Sequence, residues 1–322
     1  MEAASNRPPE QGTDTGKPGL ATVPARGPAV AELRPGQQFE GDYACVRKDR
    51  MTARNGSPYL AVELRDRTGS IAGRVFREPD RVAARFERGD AVRVRAKADR
   101  FRGELQLEID DVRALDDGEY SPQDFLPAAY RSVEELDGFL EHLTREVYDP
   151  GLRGVVESVL GAEPVAAEFR RAPCTRGGHH AYLGGLVEHT VAVGTLALEL
   201  CQLHPRLDSD LLMAAILLHD VGKTREFTYG AEIALSEEGR LLGHLAIGAE
   251  IIGPAASSLE PERRLALMNC VLSHHGPDGA GRGGGSARGG SARGGFASPE
   301  AAALYRLNAL DGQVKGVLEH GL

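Results

Sequence analysis

Leu211-Leu-Met-Ala-Ala-Ile-Leu-Leu218 is an unbroken apolar run that ends directly in His219-Asp220. At helical period it presents no polar face, so it predicts a helix buried on every side, whose C-terminal end delivers an imidazole and a carboxylate into a domain interior. A carboxylate withdrawn from water needs a partner charge or a metal. Other polar side chains must therefore converge on this point. Companions stand on separate predicted helical segments: His189 in Gly184-Gly-Leu-Val-Glu-His-Thr190, His244 in Leu242-Gly-His-Leu245, the pair His274-His275, and Asp311 in Asn308-Ala-Leu-Asp311. Imidazole and carboxylate without thiolate suit Mn²⁺, Mg²⁺, Fe²⁺ or Zn²⁺, with manganese the first choice.

The texture of the chain changes along its length. Residues 1–33 are rich in Pro, Gly, Ala and Thr, lack hydrophobic period, and read as a disordered tail. Residues 34–116 carry short alternating runs, Tyr59–Leu64, Gly73–Phe76, Ala91–Arg95 and Glu104–Ile109, separated by turn residues at Asn55-Gly56, Arg67-Thr-Gly69 and Arg88-Gly89. About five strands in some eighty residues predict a small OB-like barrel. A linker, 117–131, holds Pro122 and Pro127. From Ser132-Val-Glu-Glu135, a capping box, helical period continues through 322, with Leu136, Phe139, Leu140, Leu143 and Val147 on one predicted core-facing stripe. The expected architecture is multidomain, an N-terminal all-β barrel followed by an all-α domain.

The apolar run 211–218 is far shorter than the ~18–20 residues of a membrane span, and the first thirty residues hold no apolar block, so a cytoplasmic protein without membrane association is expected. Cys45, Cys174, Cys201 and Cys270 lie far apart and read as reduced, mostly buried thiols. The formal charge of −9 hides an asymmetry. Between Arg34 and Leu115 there are 18 basic and 14 acidic residues, against 20 and 33 elsewhere. The barrel therefore offers Arg47, Lys48, Arg50, Arg54, Arg93, Arg95, Lys97, Arg100 and Arg102 for phosphates. Tyr43, Tyr59, Phe76 and Phe101 are stacking candidates, and Arg100-Phe101-Arg102 is the most suggestive cluster.

His189, then His219-Asp220, then Asp311 resembles the H…HD…D pattern of the HD-domain metal-dependent phosphohydrolases. The neighbours narrow it. His179-His-Ala-Tyr-Leu-Gly-Gly-Leu-Val-Glu-His-Thr190, Leu217-Leu-His-Asp-Val-Gly-Lys223, Glu238-Gly-Arg-Leu-Leu-Gly-His244 and Leu272-Ser-His-His-Gly276 are similar to the YhaM-type exoribonucleases, which join an OB-fold to an HD domain. Tyr59–Ile71, Phe86–Val92 and Asp124–Pro127 resemble that family's barrel and linker, and the likeness runs from about residue 36 to 316. It implies a first metal on His189, His219, Asp220 and Asp311 and a second on His244 with His274 or His275, Asp220 bridging. Two cations suit phosphodiester cleavage, because they activate water and neutralise the phosphate. Lys223 is then expected either on a phosphate or leaving oxygen, or as a helix C-terminal cation, and His179 and His180, beside Arg170, Arg171 and Arg176, on a substrate phosphate. Glu188 reads as a surface residue, as do His142, His204 and His320.

Two departures stand out. Residues 276–298 carry a repeated Gly-Gly-Ser-Ala-Arg unit, read as an expanded surface loop or an RNA-tethering basic loop. Leu304-Tyr305 occupies a place where the family usually has a further histidine. The expected function is a metal-dependent 3′-to-5′ exoribonuclease acting on single-stranded RNA, with DNA not excluded. The alternatives are a phosphohydrolase of small nucleotides and a non-catalytic nucleic-acid-binding module. The sequence leaves homo-oligomerisation open.

Overall fold

The computed structural model describes residues 26–116, 118–276 and 295–321. Five strands, β1 (Gln38–Thr52), β2 (Pro58–Asp66), β3 (Gly69–Val75), β4 (Ala91–Phe101) and β5 (Glu104–Ala114), close into a barrel in the order β1-β2-β3-β5-β4, with a short helix α1 (Pro79–Ala83) between β3 and β4. Closure comes from a parallel contact, Gly73 with Leu107 and Arg74 with Glu108, and the remaining pairings are antiparallel. The expected alternation on β5 holds, Leu107 and Ile109 facing the core while Glu104 and Glu108 face solvent. β1 is the longest strand and the one the sequence reading did not single out. Its N-terminal half pairs with β4 and its C-terminal half with β2, the register shifting between Cys45 and Arg47. The run Arg47-Lys-Asp-Arg50 beyond that shift lacks the hydrophobic alternation by which its neighbours are read.

The tail expected through residue 33 stops earlier. Arg26 O accepts from Asp42 N–H at 2.8 Å, Tyr43 Oη donates to Pro28 O at 2.6 Å, and a 3₁₀ turn at Val30–Glu32 ends in Leu33, buried in the barrel core. Leu33 and Val30 against the core, these bonds, and those from Val30 and Ala31 N–H to Asp66 and Thr68 hold residues 26–33 on the barrel. Residues 1–25, the rest of that tail, lie outside the described residues, as do 277–294 of the Gly/Arg/Ser-rich loop.

The second domain is helical: α2 (Val133–Arg145), α3 (Pro150–Gly161), α4 (Val165–Arg171), α5 (Gly185–Leu203), α6 (Ser209–Leu218), α7 (Lys223–Glu226), a hairpin of β6 (Phe227–Tyr229) and β7 (Ile233–Leu235), then α8 (Glu237–Leu241), α9 (Gly243–Ala256), α10 (Pro261–Leu272) and α11 (Pro299–His320). α6 is the apolar run. Asp208 caps its N-terminus at Leu211 N–H, and every residue from Leu211 to Leu218 is buried among α2, α3, α5, α10 and α11. α5, at 19 residues and a mean hydropathy of 1.2, has the length and composition of a membrane span. Here it packs against α2, α4, α6 and α11 and carries His189. Ser132 caps α2 at Glu135 N–H, and Leu136, Leu140 and Leu143 enter the core as the stripe predicts. Phe139 does not; it stands 37% exposed.

The linker is packed rather than loose. A 3₁₀ turn at Pro122–Asp124 is closed by reciprocal bonds between Ser121 and Asp124, and Phe125 and Leu126 are buried. A small apolar cluster joins the domains: Ala44, Ala91 and Leu115 of the barrel, Phe125 of the linker, and Ala231 at the tip of the β6–β7 hairpin. Arg65 Nη2 donates to Ala231 O at 3.3 Å across the same junction. Ala231→Arg forces a guanidinium into this cluster. Both domains should keep their circular dichroism, while chymotrypsin cleaves at Phe125 about ten-fold faster, equivalent to roughly 1.4 kcal/mol of lost docking. An unchanged cleavage rate would contradict the joint.

Candidate metal centre and nucleic-acid interface

Close backbone approaches set the helical centre. The His219-Asp220 turn meets the start of α9 so tightly that a Cβ on Gly222 would stand 2.0 Å from His244 O. A Cβ on Gly185 would stand 2.1 Å from His180 O, so only glycine lets the 172–184 segment close over the start of α5. These contacts bring His179, His180, His189, His219, Asp220, His244, His274, His275 and Asp311 into one cluster.

Asp220 is its middle. Oδ2 lies 2.7 Å from Lys223 Nζ, 3.2 Å from His219 Nε2 and 3.7 Å from His189 Nε2, while Oδ1 lies 3.4 Å from His274 Nε2 and 3.6 Å from His244 Nε2. Burial alone would raise its pKa, but the His219 imidazole and the Lys223 ammonium hold it well below the usual carboxylate range. Three of the rings are locked in one tautomer. His219 Nδ1 stands 2.7 Å from Ile216 O, His274 Nδ1 2.7 Å from Val271 O, and His244 Nδ1 3.1 Å from Glu226 Oε1. Those oxygens only accept, so Nδ1 carries a proton in each; the Nε2 atoms of His219 and His274 face Asp220, while that of His244 stands 2.9 Å from His275 Nε2. The Nε2 atoms of His219 and His274 and Oδ1 of Asp220 are buried without a hydrogen-bond partner. Acceptors facing an acceptor are reconciled by a cation, so the residues present fit a divalent metal.

Donor atoms within 4.8 Å of one another form one set of Asp220, His244, His274 and His275 and another of His179, His180, His189 and Asp311. Of the His274-His275 pair, His274 is buried and His275 is exposed, with His275 Nε2 lying 2.9 Å from His244 Nε2. In the second set Asp311 Oδ2 lies 2.6 Å from His189 Nδ1 and 3.0 Å from His180 Nε2, and these bonds overcome burial to keep its carboxyl depressed.

Several expectations change here. Lys223 is buried at the start of α7 rather than at a helix C-terminus, and it pairs with Asp220 instead of reaching outward. His180 is 1% exposed, with its nitrogens on Asp311 and on Tyr182 Oη, so it steadies Asp311. Burial favours its neutral ring, but Asp311 and Glu188 outweigh that and raise its pKa. Glu188 is no surface residue: its Oε2 accepts from Tyr182 Oη at 2.5 Å. His320 Nε2 donates to Gly178 O at 2.9 Å and so helps hold the segment that carries His179. A thiol also sits in the centre, Cys174 Sγ lying 3.9 Å from Asp220 Oδ2, but burial pushes it up to about 12, so it is no thiolate. Glu226, Tyr182 and Asn308, the last 3.0 Å from His189 Nε2, escaped the sequence reading. Only Asn308 left a signal, standing one turn before Asp311 on the same helix face.

The barrel sorts its basic candidates. Lys48 donates to Phe86 O at 2.5 Å and pairs with Glu87, and Arg93 is bidentate on Asp42 at 2.7 and 3.0 Å, so these two are built into the barrel; Arg47 and Arg50 form exposed pairs with Asp49 and Asp80. Lys97 pairs with Asp99, and Tyr43 is core. Arg54, on the loop after β1, and Arg95 are exposed. Arg100 is exposed and bonds Gly103 O. An open aromatic patch remains. Phe76 and Phe101 are 52% and 45% exposed, Tyr59 and Phe76 stand 5.7 Å apart, and the Arg74 guanidinium lies over both Phe101 and Tyr59, with Arg102 over Phe101. This patch spans β2, β3 and the β4–β5 turn, the face on which OB-folds take oligonucleotides. Arg74 belongs to it and was missed, because its strand neighbours marked it only as a strand residue.

The centre ties stability to pH. Burial, opposed for His189 by Asp311 and for His274 by Asp220, lowers both imidazoles to about 4. In the unfolded chain they protonate near 6.5. The unfolded state therefore binds more protons between these values, and the stabilisation present above pH ~6.5 is lost as pH falls toward about 4. The urea midpoint of chelator-treated protein should fall steadily across that window, and a flat profile would contradict the buried neutral rings.

Family comparisons agree with both halves. An HD-domain model matches residues 186–311, and a model of OB-fold nucleic-acid-binding domains matches residues 45–115. The 3′-5′ exoribonuclease YhaM of Halalkalibacterium halodurans is 32% identical over 248 residues, covering 74% of this chain and 75% of that protein. The protein of the same name from Shouchella clausii is 31% identical over 251 residues, covering 77% and 78%. Among solved structures, the second OB-fold domain of replication protein A from Methanococcus maripaludis aligns at 20% identity over 27% of this chain and 93% of that domain, with a TM-score of 0.23. With identity above 30% across about three quarters of both chains, and each domain matched in its place, this chain belongs to the YhaM family of 3′-5′ exoribonucleases.

Proposed function

We propose that this chain removes nucleotides from the 3′ end of single-stranded RNA, the barrel holding the strand and the helical domain hydrolysing the terminal phosphodiester. The observation that carries this reading is the buried carboxylate of Asp220 with the Nε2 atoms of His219 and His274 facing it and no hydrogen-bond partner for either nitrogen or for Oδ1. His189 and Asp311 on one side, and His244, His274 and His275 on the other, are the donors for two divalent ions, with Asp220 and His219 between them. Imidazole and carboxylate donors beside a protonated thiol suit manganese first, with Mg²⁺, Fe²⁺ and Zn²⁺ also compatible. When bound, the ions supply water activation and neutralise phosphate charge.

The chain's own residues do the positioning. Ile216 O, Val271 O and Glu226 orient the three rings, and His180 holds Asp311. Lys223 keeps Asp220 ionised. Hydrolysis forms a bond from water oxygen to phosphorus and breaks the bond from phosphorus to O3′ of the preceding nucleotide, which takes up a proton. The products are a nucleoside 5′-monophosphate and a strand one residue shorter. Tyr59, Phe76, Phe101, Arg74 and Arg102 provide sequence-tolerant stacking and charge for the strand. The proposal includes a cytoplasmic location, supported by four cysteines that form no disulfide.

A time course on 5′-labelled single-stranded RNA with Mn²⁺ should show shortening from the 3′ end. Asp220→Asn should lose more than the ~10–100-fold typical of an outer-shell change. RNA left intact by the wild type would overturn the reading, and an active Asp220→Asn would overturn the site. In the barrel, Arg74→Ala with Phe101→Ala should weaken RNA binding roughly ten-fold and reduce its salt dependence, as read by fluorescence anisotropy. Unchanged affinity would move the strand elsewhere.

A further inference from the structure

A cavity of about 420 Å³ opens between α2, α5 and α11 and reaches the metal centre. At its inner end stand Asp311 and Glu188, part of the network around His180 and His189. Its outer part is of a different character. Phe139 and Leu196 form an apolar wall, and beside it stand Arg131, paired with Glu135, and Lys315, 3.6 Å from Glu188 and 3.7 Å from Glu319. Phe139 is the one member of the predicted core stripe of α2 that the core does not use, since Leu136, Leu140 and Leu143 fill that role. Its ring instead lies open to the cavity, with the Arg131 guanidinium 5.0 Å from its centroid. An exposed aromatic ring, two cations and a metal-binding end in one cleft match a ligand with a flat apolar body and an anionic group.

We propose that this cavity receives the 3′-terminal nucleoside of the strand, its base against Phe139 and its 5′-phosphate toward Asp311. The proposal rests on the exoribonuclease reading and deepens it. An enzyme that cuts the last phosphodiester must house one nucleoside beyond the scissile phosphate. This volume is at the small end of ligand pockets, of the order of 300–1,000 Å³, and so takes one nucleotide rather than a continuing strand. Phe139 is then a specificity-determining residue that contacts the leaving nucleotide and takes no part in the chemistry.

Calorimetry on the full-length, Mn²⁺-loaded protein tests this with two probes, adenosine 5′-monophosphate and ribose 5-phosphate, which differ only in the base. The wild type should prefer the nucleotide by roughly ten-fold, the scale of one stacked base. Phe139→Ala should erase that preference, and Phe139→Trp should keep it, with metal content unchanged in both. A wild type without the preference, or Phe139→Ala retaining it, would overturn the pocket. The RNA time course on the same preparations separates the two ideas. If RNA is shortened while the preference ignores Phe139, the pocket alone falls. If the nucleotide binds through Phe139 and RNA stays intact, the exoribonuclease reading falls and the cavity stands as a nucleotide site.

Discussion

The structure depends on one buried carboxylate. Asp220 sits at the end of a helix with no polar face, where an isolated charge would be prohibitive. It persists because Lys223 pairs with it, while the Nε2 atoms of His219 and His274, whose Nδ1 atoms are tied to backbone oxygens, face it without a hydrogen-bond partner and call for a cation. The ties come from different parts of the helical domain: Ile216 on α6, Val271 on α10 and, for His244, Glu226 at the end of α7. The site is thus the meeting point of the domain's packing, and no single helix could build it. The polar atoms left without partners mark the place where a cation completes the arrangement.

The same constraint explains how closely the backbone is drawn together. The turn carrying Asp220 has room for His244 only because residue 222 has no side chain, and the segment carrying His180 closes on α5 only because residue 185 has none. Glu226, which orients His244, immediately precedes the β6–β7 hairpin, whose tip enters the apolar cluster shared with the barrel and linker. The element that fixes one ligand is therefore continuous with the element that docks the strand-binding domain. Barrel and centre are mechanically joined over a few residues.

Division of labour within the barrel follows from charge pairing. Many basic residues are spent on neighbouring carboxylates, as with Arg93 on Asp42, and so stabilise strand pairing. The candidate nucleic-acid face is a small patch where aromatic rings stay open and the arginines beside them, Arg74 and Arg102, lie over those rings. A basic composition overstated the number of free cations and missed the one that ties the patch together.

Much of this was legible in the sequence because it rests on local period and on chemical necessity. Alternation marks four strands of the barrel, an all-apolar helix implies a buried His-Asp pair, and that pair demands the other histidines and Asp311. Failures occurred where the direction of a side chain is set by how the segments around it pack. Lys223 turned inward to Asp220, His180 to Asp311 across 131 positions, and Glu188 to Tyr182, while Phe139 left the core stripe to line a cavity formed with α5 and α11. The sequence by itself determined a barrel followed by a helical domain and the members of the His/Asp cluster, since periodicity and desolvation act on every residue regardless of its distant neighbours. Only the tertiary structure decided which nitrogen faces which oxygen, which cations remain free and where a cavity opens, because those depend on how separate helices and strands pack in space.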